Sequence, residues 1–251
     1  MSTFFHPTLS CPSCGSPFTK PIIKGLHVTR LPEVRAAILR GEFQRYACEA
    51  CGAAIRVERT DTVYTDFNLG HYIAVDSRHA PDWRASKARH TRVFDEAFTL
   101  GPGVAQELAE GMRHRLVFGV LSLREKLLAW DNDLDDLVLE ATKADALRAR
   151  GFSVSEEELR LSVVVPDGPL IFMRLAPPSP APSGPDGVTL LPAPTLRGHM
   201  IVSRGQYRER LRHRREILGE LPWLGDDWVI DLLVTHPSRT PVTDEGLQPE
   251  I

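Results

Sequence analysis

Apolar and polar positions divide the chain into short alternating and helical stretches. Ile22, Ile23, Leu26 and Val28 predict a strand within residues 21–30. Pro32, Glu33 beside it, and Gly41 beyond Arg40 are the start and stop signals of a short helix. Ile55-Arg56-Val57-Glu58-Arg59 alternates as a half-buried strand does. Residues 63–67 and 71–75 read as a hairpin around Asn68-Leu69-Gly70. Residues 80–112 are more polar and predict helical pieces broken at Gly101-Pro102-Gly103, and residues 114–119 predict a strand. Residues 121–130 predict a helix. Asn132 or Asp133 is the expected cap of the next one, which runs through Leu134, Leu137, Val138, Ala141 and Leu147 to a stop at Gly151. Its apolar positions recur at i, i+3, i+4 and i+7, which predicts one buried face.

Residues 159–165 and 170–175 flank Pro166-Asp167-Gly168-Pro169 and predict a second hairpin. Five prolines then crowd residues 176–187, a composition that packs as neither helix nor strand and predicts an exposed loop or linker. Residues 188–191 and 199–202 resume β character, and Ser203 precedes a helix reaching about Gly219. Trp223, Leu224, Trp228, Val229, Ile230, Leu232 and Leu233 are too apolar for a free tail. They are expected inside the fold or against another protein, and residues 228–234 as one strand or helix. The polar tail from His236 is expected to fray.

Composition narrows the class. With 251 residues, 42% hydrophobic and 25% charged, the chain has globular averages and the length to bury a sizeable core. Thirty basic against 33 acidic side chains give a formal charge of −3, which argues against general attraction to polyanions. No apolar run suits a membrane span, and Met1–Pro7 has neither the basic region nor the apolar core of a signal peptide. A cytoplasmic protein with no membrane partner is the expectation.

The cysteines carry the strongest signal. All four lie in two matched units, Cys11-Pro12-Ser13-Cys14-Gly15 and Cys48-Glu49-Ala50-Cys51-Gly52. Paired C-x-x-C units without a secretion signal read as metal ligands before disulfides. Two intervening residues let a tight turn aim both sulfurs at one ion, and the following glycine permits the φ > 0 such a turn needs. Two facing knuckles supply the tetrahedral set of a closed zinc site, so Cys11, Cys14, Cys48 and Cys51 are expected to hold one structural Zn2+ per chain. Four thiolates also suit a rubredoxin-like iron centre, but nothing in the chain points to electron transfer, so zinc is expected first. The fold class that follows is α+β: a zinc-ribbon or rubredoxin-like β knuckle region, then a mixed α/β region with antiparallel strands.

The residues around these cysteines resemble the CpXC family, a bacterial group named for its Cys-Pro-x-Cys motifs. The likeness rests on Cys-Pro-Ser-Cys-Gly at 11–15, His-Val-Thr-Arg-Leu-Pro-Glu-Val at 27–34, Leu-Arg-Gly-Glu-Phe at 39–43 and the second knuckle. It continues in Val-Tyr-Thr-Asp at 63–66, Leu-Arg-Glu-Lys-Leu at 123–127 and Leu-Asp-Asp-Leu-Val-Leu-Glu at 134–140. The second motif, Cys-Glu-Ala-Cys, lacks the proline, which would only stiffen its turn. The resemblance implies a CpXC-like domain over 1–147, with knuckle region 11–76 and helical part 80–147, and it implies no particular activity. Residues 148–251 then form an α+β C-terminal part that contains the Pro-rich loop 176–187 and either packs on the first or stands apart.

Other chemistry is sparse. Arg204, Arg208, Arg210, Arg212, Arg214 and Arg215 crowd one predicted helix, and Arg204, Arg208, Arg212 and Arg215 are its candidate contacts to nucleic acid or a partner. Glu209, Glu216 and Glu220 offer those arginines partners at helical spacing, and no aromatic residues interleave to stack bases. Asp131, Asp133, Asp135 and Asp136 lack the glycine and glutamate of a calcium loop and suit a helix N-terminus. The nine histidines form no ligand spacing, and no P-loop, G-x-S-x-G or G-x-G-x-x-G occurs. The expected function is a non-enzymatic, zinc-stabilised interaction, adaptor or assembly protein. The alternatives are a nucleic-acid-binding zinc ribbon and an enzyme whose site assembles without a linear motif.

Overall fold

A computed structural model describes residues 2–78, 82–177 and 187–237. The chain enters through β1 (Thr3–Phe5) and a small hairpin of β2 (Thr8–Ser10) and β3 (Pro17–Thr19). β4 (Ile22–His27) and one 3-10 turn lead into α1 (Pro32–Arg40), which has Pro32 in its first turn and ends on Gly41 at φ 74°. β5 (Arg45–Ala47), β6 (Ala54–Arg59), β7 (Thr62–Asp66) and β8 (His71–Asp76) follow. Next come α2 (Trp83–Phe94), a π segment (Asp95–Thr99) and α3 (Gly103–Ala109), then β9 (Arg113–Phe118), α4 (Val120–Trp130) and α5 (Asp136–Arg148). The last third holds β10 (Glu158–Val164), β11 (Leu170–Leu175), β12 (Val188–Pro192), β13 (Leu196–Val202), α6 (Arg204–Arg212), α7 (Ile217–Glu220) and α8 (Leu232–Thr235).

Several antiparallel ladders make this an α+β protein. The central sheet runs β1-β4-β7-β8-β9 and is mixed, with β7 and β8 forming the expected hairpin. β8 and β9 are parallel, because α2, the π segment and α3 carry the chain back across the sheet between them. β10, β11 and β13 form a separate antiparallel sheet against which α4 packs. β12 returns to pair with β6, in register Leu190↔Val57, and completes a three-stranded sheet with β5. One large apolar cluster runs from Ile23 of β4 through Leu123, Leu127 and Val138 to Leu232. Most of the Pro-rich loop at 176–187 and nearly all of the tail from His236 lie outside the described residues.

Four local expectations change. Asn132 and Asp133 do not cap α5: the Asn132 side chain closes the end of α4 on the Leu128 carbonyl, and Asp133 sits in a left-handed turn at φ 52°. Asp135 is the cap, its carboxylate accepting from Val138 N–H. α5 is not a one-faced surface helix, since every residue from Asp136 to Ala144 is buried, with α6, α7 and α8 packed on it. Residues 228–234 form no single element, because Asp226 accepts from Trp228 and Val229 N–H, and Asp231 then caps α8. The apolar side chains of residues 223–233 are nonetheless taken into the fold: Leu224 and Val229 are fully buried and Trp223 packs half-buried on the core. The helix after Ser203 starts with a full Ser203–Gln206 capping box but breaks at His213 into α6, a 3-10 turn and α7.

Charged groups occupy the centre of this core. The Lys143 ammonium donates to Glu125 and, at 2.7 Å, to Glu140. Arg160 donates to Glu158 at 2.7 Å and to Asp231 at 2.9 Å, and all six side chains are buried. Leu161 and Leu232 N–H occupy the remaining oxygens of Glu125 and Glu140. Such a network adds little net stability over an apolar replacement, but it penalises loss of one member, which strands the others in a dry interior. Lys143→Met is therefore expected to lower the unfolding free energy by about 3–5 kcal/mol in urea titrations.

Burial pushes the Asp231 carboxyl up, but Arg160 and Lys143 overcome it and hold the group at about 2. A folded-state value below the unfolded one near 3.9 means that this contribution is present above about pH 4 and disappears as pH falls toward 2. Asp231→Asn should flatten the acid branch of the stability–pH curve between about pH 4 and 2, read as denaturation midpoints against pH.

Candidate metal centre

Two hairpin ends build the site in the same way. β2 and β3 pair in register Ser10↔Pro17, and residues 11–16 form the turn between them. There Cys11 N–H donates to the Ser16 carbonyl (2.9 Å), and Gly15 N–H donates to the Cys11 carbonyl (2.9 Å). β5 and β6 pair in register Ala47↔Ala54 around residues 48–53. Cys48 N–H donates to the Ala53 carbonyl (2.9 Å), and Gly52 N–H to the Cys48 carbonyl (2.8 Å). Gly15 and Gly52 sit at φ 74° and 72°, the left-handed conformation that the glycine after each second cysteine supplies.

The two knuckles face each other. Cys11 Sγ lies 3.8 Å from Cys51 Sγ, Cys14 Sγ lies 3.7 Å from Cys48 Sγ, and all four sulfurs fall within 4.8 Å of one another. Those separations exclude disulfides, which need about 2.05 Å. A tetrahedral ion with metal–sulfur bonds of about 2.3 Å has sulfur–sulfur edges of about 3.8 Å, so the cluster fits a four-thiolate ion. Cys11 and Cys48 are buried among Ile22, Ile55, Val57 and Val188, while Cys14 and Cys51 face outward.

The proton chemistry of the cluster favours a shared cation. The Ser16 hydroxyl and N–H hold the Cys14 thiol down at about 6. Burial raises Cys11, yet N–H donors from Ser13 and Cys14 bring it below the ordinary thiol value. At Cys51 the Ala53 N–H acts downward, but the facing sulfurs, Cys14 foremost, push the thiol up to about 12. Four sulfurs this close do not all ionise unless a cation shares their charge.

Comparison with known proteins adds one finding. A family model described as "CpXC protein" matches residues 9–143, just over half of the 251 residues. The chain belongs to the CpXC family. No curated protein and no solved structure matches it. The matched span of this CpXC protein contains both knuckles, the central sheet from β4 onward, α4 and the first two turns of α5. β12, which closes the knuckle sheet, lies beyond it.

The arginine segment sits elsewhere, on α6 and the turn after it, and much of it is neutralised locally. Arg210 grips Asp145 with two nitrogens and Glu220 with a third at 2.7 Å; Arg214 binds Asp135 at 2.7 Å, and Arg212 pairs with Glu209. Arg204 is half-buried beside the Tyr207 ring, whereas Arg208, Arg212 and Arg215 are exposed. Asp135 and Asp136 serve as helix cap and as buried partner of Arg115 and Trp130, which accounts for two of the four clustered aspartates.

Two groupings carry no linear motif in the sequence. One is the ionic core around Lys143. The other places His90 Nε2 3.6 Å from Asp61 and 3.7 Å from Asp76, with Arg89 joining the two carboxylates. Ser86-x-x-x-His90 puts both side chains on the inner face of α2, a helical signal that spacing could have shown; the carboxylates come from β8 and from the turn before β7. No helix among the described residues is long and apolar enough to cross a membrane.

Full-length protein prepared without chelators should contain one metal ion per chain by elemental analysis. Cys48→Ser should cut that content at least tenfold and open residues 11–76 to protease, because metal-binding free energy is folding free energy here.

Proposed function

We propose that this CpXC protein is a zinc-stabilised protein-interaction module, an adaptor or assembly factor rather than an enzyme. The observation that carries the reading is the closed cluster of Cys11, Cys14, Cys48 and Cys51. An ion held by four thiolates has no open position for water or substrate, which is the pattern of structural and not catalytic zinc. The two knuckles at the ends of facing β-hairpins support a zinc-ribbon arrangement. Zinc is the ion of choice because a closed set of four cysteines is above all a structural zinc site, and iron is the alternative that the same sulfurs would accept.

A nucleic-acid role through the arginine helix has less support. Binding along phosphates needs cations that are free to exchange counterions, and Arg210, Arg212 and Arg214 are already engaged by carboxylates of the same chain. Freshly purified protein should show no excess absorbance at 260 nm. It should not shift mixed-sequence DNA or RNA below about 10 µM in a salt titration. Salt-dependent binding that disappears with Arg208→Ala and Arg215→Ala would move the function to nucleic acid.

A further inference from the structure

Solvent reaches the four-sulfur cluster from one side. Cys14 and Cys51, the second cysteine of each knuckle, are exposed, whereas Cys11 and Cys48 are buried. Each exposed sulfur faces a buried one of the opposite knuckle. Cys14 Sγ lies 3.7 Å from Cys48 Sγ, and Cys51 Sγ lies 3.8 Å from Cys11 Sγ. The cluster therefore contains two pairs, each with one sulfur open to a reagent from solvent and one sealed behind it among Ile22, Ile55 and Val57. Sulfurs that share one ion are all kept as thiolates, the form that reacts with oxidants, and exposure then decides which of them react first.

We propose that Cys14 and Cys51 are modification sites for hydrogen peroxide, and that oxidation closes two disulfides between the knuckles, Cys14–Cys48 and Cys11–Cys51, with release of the ion. The inference rests on the reading of the cluster as a structural metal site. The Cys14 thiolate attacks the O–O bond of the peroxide: a sulfur–oxygen bond forms, hydroxide leaves, and Cys14 becomes a sulfenic acid. The Cys48 thiolate then attacks that sulfur, so that a sulfur–sulfur bond forms and the sulfur–oxygen bond breaks with loss of a second hydroxide. Each sulfur gives up one electron and the peroxide takes up two. Cys51 and Cys11 repeat the sequence with a second peroxide, after which no thiolate remains to hold a cation.

The backbone favours pairing across the knuckles over pairing within them. Each turn is tied by two hydrogen bonds of 2.8–2.9 Å, from the N–H of its first cysteine and from that of its glycine. A disulfide inside one Cys-x-x-Cys must bend that turn. A disulfide between the knuckles asks the two hairpins to approach by about 1.7 Å, from 3.7–3.8 Å to about 2.05 Å. The cross-links join residues 34 and 40 positions apart and so constrain the unfolded chain. The oxidised knuckle region therefore keeps its fold after the ion leaves, and a thiol reductant with fresh metal restores the starting state.

The test treats the full metal-loaded chain with hydrogen peroxide. Metal release is followed with a colorimetric chelator, disulfide connectivity by tandem mass spectrometry of peptides, and the state of residues 11–76 by limited proteolysis. The expected result is loss of the ion in step with Cys14–Cys48 and Cys11–Cys51 disulfides, with residues 11–76 still closed to protease. Before oxidation, iodoacetamide should label Cys14 and Cys51 at least about tenfold faster than Cys11 and Cys48. Disulfides within the knuckles, Cys11–Cys14 and Cys48–Cys51, would overturn the proposal. So would equal labelling of all four cysteines, cysteines that stay reduced under peroxide, or an oxidised region that opens to protease. A chain that carried no metal at the outset would instead contradict the structural-metal reading, and the disulfides formed from its free thiols would still decide the pairing.

Discussion

Four sulfurs drawn to one point from two turns 33 residues apart are the constraint on which the amino-terminal half of this fold depends. Around them the buried apolar cluster is small: Ile22, Ile55, Val57 and Val188 besides Cys11 and Cys48. Such a cluster offers little apolar burial to offset the ordering of its hairpins, and four sulfurs within 4.8 Å of one another could hold an ion whose binding free energy is folding free energy. The knuckle sheet also borrows β12 from far along the chain, so the metal region and the C-terminal part share one set of backbone hydrogen bonds.

The rest of the molecule settles its charges internally. Lys143, Arg160 and their carboxylates stitch α4, α5 and β10 to the segment before α8, and Asp136 joins β9 to α4 through Arg115 and Trp130. These pairs fix which helix faces which strand, because any other packing leaves an ion unpaired in the interior. The arginines of α6 extend the same habit outward, where Arg210 and Arg214 tie α6 and the following turn to Asp145 and Asp135. A basic run in sequence thus becomes a docking device within the chain.

What could be read from the sequence was what short-range chemistry determines. Pro32 and Gly41 bound α1, Asn68-Leu69-Gly70 turns β7 into β8, and each Cys-x-x-Cys-Gly folds on its own backbone, so these needed no tertiary knowledge. The pairing of β12 with β6 was hidden because nothing in Val188–Pro192 names its partner strand. The buried charges were hidden for a related reason. Lys143 has Glu140 one turn away, an ordinary surface pair, and only the arrival of Glu125 and the neighbouring Arg160–Asp231 pair makes it a core residue. The cap of α5 was misplaced by two or three residues because Asn132, Asp133 and Asp135 are all competent caps, and the turn geometry at Asp133 decides among them.

The claim on which this account rests is a closed, four-sulfur ion at the meeting of the two knuckles. X-ray absorption at the metal edge of the purified full-length protein tests it most directly. The account predicts four sulfur neighbours at about 2.3 Å and no oxygen or nitrogen in the first coordination sphere. A site with three or fewer sulfurs and a light-atom ligand would contradict it, because an open coordination position would make the metal a reagent rather than a staple.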